Sequence, residues 1–370
     1  MDVTRTSVPA IDERPDLGQR PIGVRGYIAL GALVLGALAA LGAAFIEVPY
    51  YALAPGSVRE TVPLIEVEED HRFEPDGIVH FTTVSIRGRI TPWEWLAGSL
   101  DPAVEIVHES VILRGRDPDE NRRVNLQLMD TSKNQAVRLA FQRLGYDVVV
   151  PGGALITRVE DGQPADGLLE INDLILAVDD VPVAEATDLV EAISGRGPGD
   201  TVRLEVGRPD SDEVEHLDVM LAPKEEDPTK GFLGVGIETR QDVEFPFDVD
   251  IDSGSVGGPS AGLAFTLGVL DVLTPGEITG GSQVAVTGTI QDDLTVGPIG
   301  GLPQKAAAVK RAGIPVFLVP ASQTEEELVQ ARELAGDDVT LIPVANLDEA
   351  LAALEELGGN AEELATVGQN

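Results

Sequence analysis

The chain has no cysteine. Disulfide frameworks, thiol nucleophiles and cysteine metal sites are therefore all excluded. Positive charge is scarce too: 26 Lys and Arg stand against 63 Asp and Glu, a formal net charge of −37. A field of that sign repels phosphates, so nucleic acid is excluded as a partner of the bulk protein. Lysine is rarer still, confined to Lys133, Lys224, Lys230, Lys305 and Lys310, and the 4 histidines are His71, His80, His108 and His216. No Gly-x-x-x-x-Gly-Lys-[Ser/Thr] phosphate loop occurs. What is present is ample apolar material, 43% of 370 residues, enough for real cores and too long for one of them. Two or three folded units of mixed α and β character are expected.

One uncharged run stands out. Gly26 to Ile46 holds 21 residues without a charge. At 1.5 Å per residue they reach across a hydrocarbon core of about 30 Å. Arg5, Arg14, Arg20 and Arg25 precede the run, and the next base is Arg59. That bias keeps residues 1–25 cytoplasmic and places the rest outside, as a single-pass protein of the cell membrane in contact with lipid through this helix. A cleaved signal peptide is the rival, since Ala-Leu-Gly-Ala-Ala supplies small residues, but its apolar core is usually shorter.

Residues 47–140 read as a membrane-proximal extracytoplasmic region. Ile78–Ile86 alternates like a strand, and Trp93 and Trp95 either touch lipid headgroups or belong to ordinary core and surface. Helical spacing follows over 135–144, closed by Gly145. Then come Gly162-Gln-Pro-Ala-Asp-Gly-Leu168 and Ile171-Asn-Asp-Leu-Ile-Leu-Ala-Val-Asp-Asp-Val-Pro-Val183, a helix at Ala186–Ser194 and a strand at Thr201–Val206. In order and wording this resembles a PDZ domain, over 141–222. The resemblance implies a groove between the helix and strand Ala154–Val159, where an extended peptide adds along Ala154, Leu155, Ile156 and Thr157. A PDZ fold used only for packing is the alternative. Residues 223–230, charged and bracketed by prolines, read as a linker, and 359–370 as a C-terminal tail. Helical runs are expected at Glu325–Leu334 and Leu347–Leu357.

The chemistry is concentrated between these points. Asp248, Asp250 and Asp252 resemble a calcium loop, but the glycine falls one place late and Pro259 stands where the closing carboxylate belongs, so a half-exposed strand explains them and neither metal nor cofactor is expected. Gly257-Gly-Pro-Ser260-Ala-Gly262 then enters an apolar helix. A serine at a strand-to-helix turn has unpaired backbone N–H groups nearby, and Gly258, Pro259 and Ala261 are the backbone candidates for holding an oxyanion. Taken literally the text is Gly-x-Ser-x-Gly, the nucleophile elbow of α/β-hydrolases, but that fold needs a later histidine and none follows His216. The bases left between residues 231 and 370 are lysines: Lys305, after Gly297-Pro-Ile-Gly-Gly-Leu302, and Lys310. Lys305 is a surface helix residue on the plain reading. If it is buried among apolar groups, its pKa falls far enough for the amine to take a serine proton.

Four segments in order, Gly258-Pro-Ser-Ala-Gly262, Val286-Thr-Gly-Thr-Ile290, Gly297-Pro-Ile-Gly-Gly-Leu302 with Lys305, and Gly313-Ile-Pro-Val-Phe-Leu-Val-Pro320, resemble the proteolytic domain of Lon, here over 231–358. The resemblance implies a fold like ribosomal protein S5 domain 2, Ser260 as nucleophile, Lys305 as general base and Thr287 as a residue orienting the lysine. Gly257 and Thr289 depart from the family, which has aspartate and glutamate there. With anchor and PDZ unit, the whole is similar to PDZ-containing Lon-like membrane proteases. It implies an α+β multidomain, ATP-independent serine endopeptidase acting on proteins or peptides with exposed extended segments. The competing expectation is a non-catalytic, membrane-tethered PDZ adaptor with a Lon-like scaffold. The oligomeric state is not legible from the sequence.

Overall fold

The computed structural model describes residues 23–209, 211 and 213–360. The expected cytoplasmic segment up to residue 22, and the tail from 361 onward, lie outside them. The chain divides into two compact units, residues 1–53 with 86–114, and residues 54–85 with 115–370.

In the first unit, helix α1 covers Val24–Ala43, 20 residues against the expected 26–46. Among the residues whose side chains are described, which leave out Gly26 and Ala39 of this helix, no helix is long and apolar enough to cross a membrane. The fold description thus lends the expected span no support. Strand β1 (Tyr50–Glu60) begins here, and the chain passes through β2 (Ile65–Val67) and β3 (Ile78–Arg87) before returning. Helix α2 (Pro92–Leu100) starts at Thr91, whose hydroxyl accepts from the Glu94 N–H while the Glu94 carboxylate accepts from the Thr91 N–H. Strand β4 (Glu105–His108) pairs antiparallel with the start of β1, Tyr50 opposite His108, and the short α3 (Glu109–Leu113) follows.

The second unit opens on α4, Pro118–Arg143. Sequence periodicity placed this helix only at 135–144. The earlier start is a cap effect: the Asp117 carboxylate accepts from the Glu120 N–H and Pro118 suits the first turn. The added turns are mostly polar, which hid them from an apolar-period reading.

Next lies a sheet of β5 (Val149–Val159), β6 (Leu174–Val178), β7 (Val181–Pro182), β8 (Thr201–Gly207) and β9 (Val214–Met220), with α5 (Ala186–Ser194) between β7 and β8. The expected turn at Asp179-Asp180 has positive φ at both residues, 49° and 64°, the conformation that suits a two-residue hairpin. Ile156, Ile175, Leu189, Val202, Leu204 and Val206 form its own buried core. The expected linker 223–230 forms the turn of a hairpin between β10 (Ala222–Pro223) and β11 (Gly231–Phe232). The chain continues into β12 (Val235–Val243), which pairs along β5. Sheet order is β12-β5-β6-β8-β9.

The remainder carries β13 (Val249–Ile251), α6 (Gly262–Leu273), β14 (Gln283–Val286), β15 (Thr289–Ile290), β16 (Val296–Gly297), α7 (Leu302–Ala312), β17 (Val316–Pro320), α8 (Glu325–Ala335), β18 (Thr340–Val344) and α9 (Leu347–Glu356). Strands β18, β17, β14 and β3 lie side by side in parallel, followed by β1. Parallel neighbours need crossovers, supplied by α7 and α8, and such sheets bury both faces. Alternate residues obey this. Val284, Val286 and Leu318 join α4, α6 and α9 in one core, while Ala285, Phe317 and Val319 join α7 and α8 in the other. Strand β3 pairs with β14, Val79 opposite Val284 and Phe81 opposite Val286. The expected region 47–140 is therefore divided: residues 47–53 and 86–114 belong to the first unit, while β3 up to Ser85 and α4 join the second, where the β5–β9 sheet lies between α4 and β13 in the sequence. Strands distant in sequence pair by hydrogen bonds that no local pattern encodes.

Candidate active site

Ser260 sits one turn before α6, and its surroundings are pinned from three sides. The Gly288 N–H and the Thr287 hydroxyl both donate to the Ser260 carbonyl, at 3.0 and 3.1 Å. The Ser132 hydroxyl on α4 donates to the Pro259 carbonyl at 3.1 Å, and the Gly258 N–H donates to the Asn125 carbonyl at 2.8 Å. Helix α6 lies so close that a Cβ on Gly262 would stand 2.9 Å from the Ser132 oxygen and 3.2 Å from the Ile290 nitrogen, which is why glycine opens it.

Lys305 arrives on the first turn of α7. Gly301, at φ 70°, turns the chain left-handed just before it, and Pro303 suits the helix start. The side chain is 1% exposed. Its Nζ lies 2.8 Å from Ser260 Oγ and 2.8 Å from Thr287 Oγ1. Burial alone drives its pKa down from 10.5 to about 7, because the ammonium form loses its hydration. A neutral amine fits these partners: one N–H donates to Thr287, whose own hydroxyl proton is committed to the Ser260 carbonyl, and the lone pair faces Ser260 Oγ. Lys310 is exposed and 3.9 Å from the Asp338 carboxylate. Ser260, Thr287 and Lys305, separated by up to 45 residues, thus meet at one point.

The three backbone candidates divide. Gly258 has spent its N–H on Asn125, and Pro259 has none. Both are corrected as oxyanion donors. Ala261 is the remaining one, and among the described residues no backbone carbonyl accepts from its N–H. Sequence reasoning missed Asn125 and Ser132, which hold this turn; both lie on α4, assigned by pattern to another region. Asp248, Asp250 and Asp252 flank or occupy β13, with Ile251 buried and Asp250 and Asp252 outward, the alternation of a strand.

The expected peptide groove does not lie on β5. Strand β12 pairs with β5 over its whole length, Thr239 opposite Ala154, Glu238 opposite Leu155 and Ile237 opposite Ile156, with Gly236 opposite Arg158 just past Thr157. The other edge of β5 pairs with β6 at Ala154 and Leu155. The Ala186 N–H at the start of α5 donates to the Thr239 hydroxyl at 3.0 Å, and Val235 and Ile237 pack on the core that holds Leu189 and Ile193. Residues 235–243 of the same chain therefore take the place beside β5, and β12 is itself the edge strand of the sheet, next to a cavity lined by Leu189, Val190 and Ile193 of α5 and by Phe232, Leu233 and Val235. The groove assigned to Ala154, Leu155, Ile156 and Thr157 is corrected on this ground. The segment leaving β12 carries Phe245 and Phe247, packed on Phe141 of α4 at centroid distances of 5.3 and 5.0 Å, and leads through β13 to Ser260.

A serine hydroxyl on the turn into α6 thus lies 2.8 Å from a buried amine on α7, beside a mostly parallel sheet. Comparisons with known proteins bear on the domains that carry them. The family model of the Lon protease (S16) C-terminal proteolytic domain matches residues 237–356, and that of the PDZ domain matches residues 128–221. The Lon protease of Desulfatibacillum aliphaticivorans is 32% identical over 84 residues, 22% of this chain and 10% of that protein. The Lon protease of Haemophilus influenzae is 32% identical over 94 residues, 25% of this chain and 12% of that protein. The match thus spans about a tenth of the length of these relatives. The crystal structure of the PDZ domain of an SdrC-like protein from Listeria monocytogenes is 27% identical, covering 23% of this chain and 86% of that one, with a TM-score of 0.21, too low to carry weight. The chain carries a PDZ domain and a Lon-type proteolytic domain.

Proposed function

We propose that the protein is an ATP-independent serine endopeptidase in which Lys305 activates Ser260. The observation that carries this reading is the 2.8 Å approach of a fully buried lysine amine to the serine oxygen. The neutral amine takes the Oγ proton as Oγ attacks a peptide carbonyl carbon. The Ala261 N–H faces the oxygen that gains charge. The resulting ammonium gives its proton to the leaving amine, and water then releases the acyl group from Ser260 with the same lysine as base. Thr287 keeps the lysine on Ser260. The absence of a phosphate loop in this chain supports independence from ATP.

In this reading α1 is an uncleaved single-pass anchor. Its support is the uncharged sequence run Gly26–Ile46, the exposure of Ile28, Leu30, Leu33, Leu35, Leu38 and Leu41, and the arginines gathered on its N-terminal side. The catalytic and PDZ domains then lie outside the cytoplasm, where extended segments of proteins or peptides are the substrates.

The test is hydrolysis of an unstructured casein-type substrate by the full chain in detergent, without nucleotide. Turnover that vanishes in Ser260→Ala and in Lys305→Met, and persists in Lys310→Met, is the expected outcome. Equal activity in Ser260→Ala and the parent overturns the reading.

A further inference from the structure

The face of α2 that does not pack on the protein is apolar and exposed. Gly98 sits against β4, where a Cβ would stand 2.8 Å from Ile106 Cδ1, so that side of the helix is the packed one. Trp93, Leu96 and Leu100, spaced three and four residues apart, form a stripe on the opposite side. These three and Trp95 are exposed by 42 to 78%. The only charged side chain of the helix, Glu94, is turned into the Thr91 cap and pairs with Arg87 at 2.5 Å. Phe45 and Ile46, just beyond α1, are exposed as well.

The helix is also tied to the end of α1. At that terminus the Ala44 N–H turns back to the Leu41 and Gly42 carbonyls, leaving the Ala40 carbonyl without its usual i+4 donor. The Trp93 indole N–H donates to that carbonyl at 2.8 Å. An indole that satisfies a helix-terminal carbonyl while its ring stays exposed suits the boundary between hydrocarbon and headgroup, where one end of the ring is apolar and the other polar. Charge agrees. The exported part of this unit, residues 47–53 and 86–114, holds three Lys and Arg and five Asp and Glu, net −2, whereas the whole chain carries −37. This unit alone escapes the strong repulsion that the rest would meet at an anionic lipid surface.

We propose that α2 is an interfacial helix whose Trp93–Leu96–Leu100 face lies in the headgroup region of the bilayer that α1 spans, holding the start of the exported chain against the lipid surface. The proposal rests on the anchor reading above, and its test separates the two.

Trp93 and Trp95 are the chain's only tryptophans, so intrinsic indole fluorescence reads this helix alone. The full chain is placed in phosphatidylcholine vesicles, with lipid brominated either near the headgroup or near the acyl terminus. Loss of most of the emission to the shallow bromines, a smaller loss to the deep ones and weak quenching by aqueous acrylamide are expected. Leu100→Glu should restore acrylamide quenching while casein hydrolysis is unchanged. Protein that resists alkaline carbonate extraction, yet whose indoles are quenched by acrylamide and not by bromolipid, keeps the anchor and overturns the docking. Emission shielded from both quenchers assigns the face to a second copy of the chain, and also overturns it. Protein extracted by carbonate removes the anchor; bromolipid quenching on remixing would then still support docking, and its absence would end both.

Discussion

Replacing Lys305 by Met should kill activity and stabilise the fold, and the second effect can be worked from the structure. Unfolded, the lysine titrates near 10.5; folded, near 7. At pH 7 the unfolded amine is charged and folding neutralises about half of it, at a linkage cost of about 4 kcal/mol. Methionine, uncharged and of similar length, escapes that cost. It also gives up the two hydrogen bonds to Ser260 and Thr287, about 1 kcal/mol each. The net expected gain at pH 7 is therefore about 2 kcal/mol. The sign with pH follows from proton counts. Between about 7 and 10.5 the unfolded state holds the proton that the folded state has lost, so parent stability rises with pH across that window. The advantage of Lys305→Met should shrink over the same window and reverse near its upper end, where only the lost hydrogen bonds remain. Urea unfolding of parent and variant from pH 6 to pH 10.5, followed by circular dichroism, gives both curves. A variant that is less stable than the parent at pH 7, or a stability difference flat across the window, would refute the burial of a neutral amine.

Casein hydrolysis should climb with pH through about 7, the pKa of the buried amine, and a profile rising only near 10.5 would place the lysine in water. Ser132→Ala removes the donor to the Pro259 carbonyl, at about 1 kcal/mol, and should lower kcat about fivefold with KM little changed; a change confined to KM would deny it a positioning role. A free peptide with the sequence of residues 235–243 should not bind the intact protein by calorimetry, since β12 already fills that edge; tight binding would mean that β12 leaves readily. Asp271, buried in α6 beside Glu277 with one carboxylate oxygen unpartnered, is raised to about 7, chiefly by burial. Its folded form keeps a proton that the unfolded form loses above 3.8, so parent stability falls from about pH 4 to 7. Asp271→Asn should remove that fall, and an unchanged pH dependence in urea unfolding would contradict it.

The segments that bring Ser260 and Lys305 together were legible because their signals are local. Gly258-Pro-Ser-Ala-Gly262 makes a tight turn into an apolar helix, Gly300-Gly301-Leu302 makes another, and the scarcity of lysine and histidine left Lys305 as one of two possible bases. Helices α5, α8 and α9 and the Asp179-Asp180 turn were readable for the same reason: caps, turn residues and apolar period act within a few neighbours. Strand partnership is a different kind of fact. Backbone hydrogen bonds carry no side-chain label, so nothing in Ala154–Thr157 announced that Val235–Val243 would take its edge, and nothing in Ile78–Arg87 announced that it would join β14, some 200 residues away. The polar half of α4 was likewise illegible as part of the site, although its Asn125 carbonyl and Ser132 hydroxyl hold the turn that bears Ser260. Residue types marked Ser260 and Lys305 as the proposed nucleophile and base. Only the packing of distant elements decided that the lysine is buried and that β12, not β5, forms the edge of the PDZ sheet, because desolvation and pairing are properties of neighbours in space.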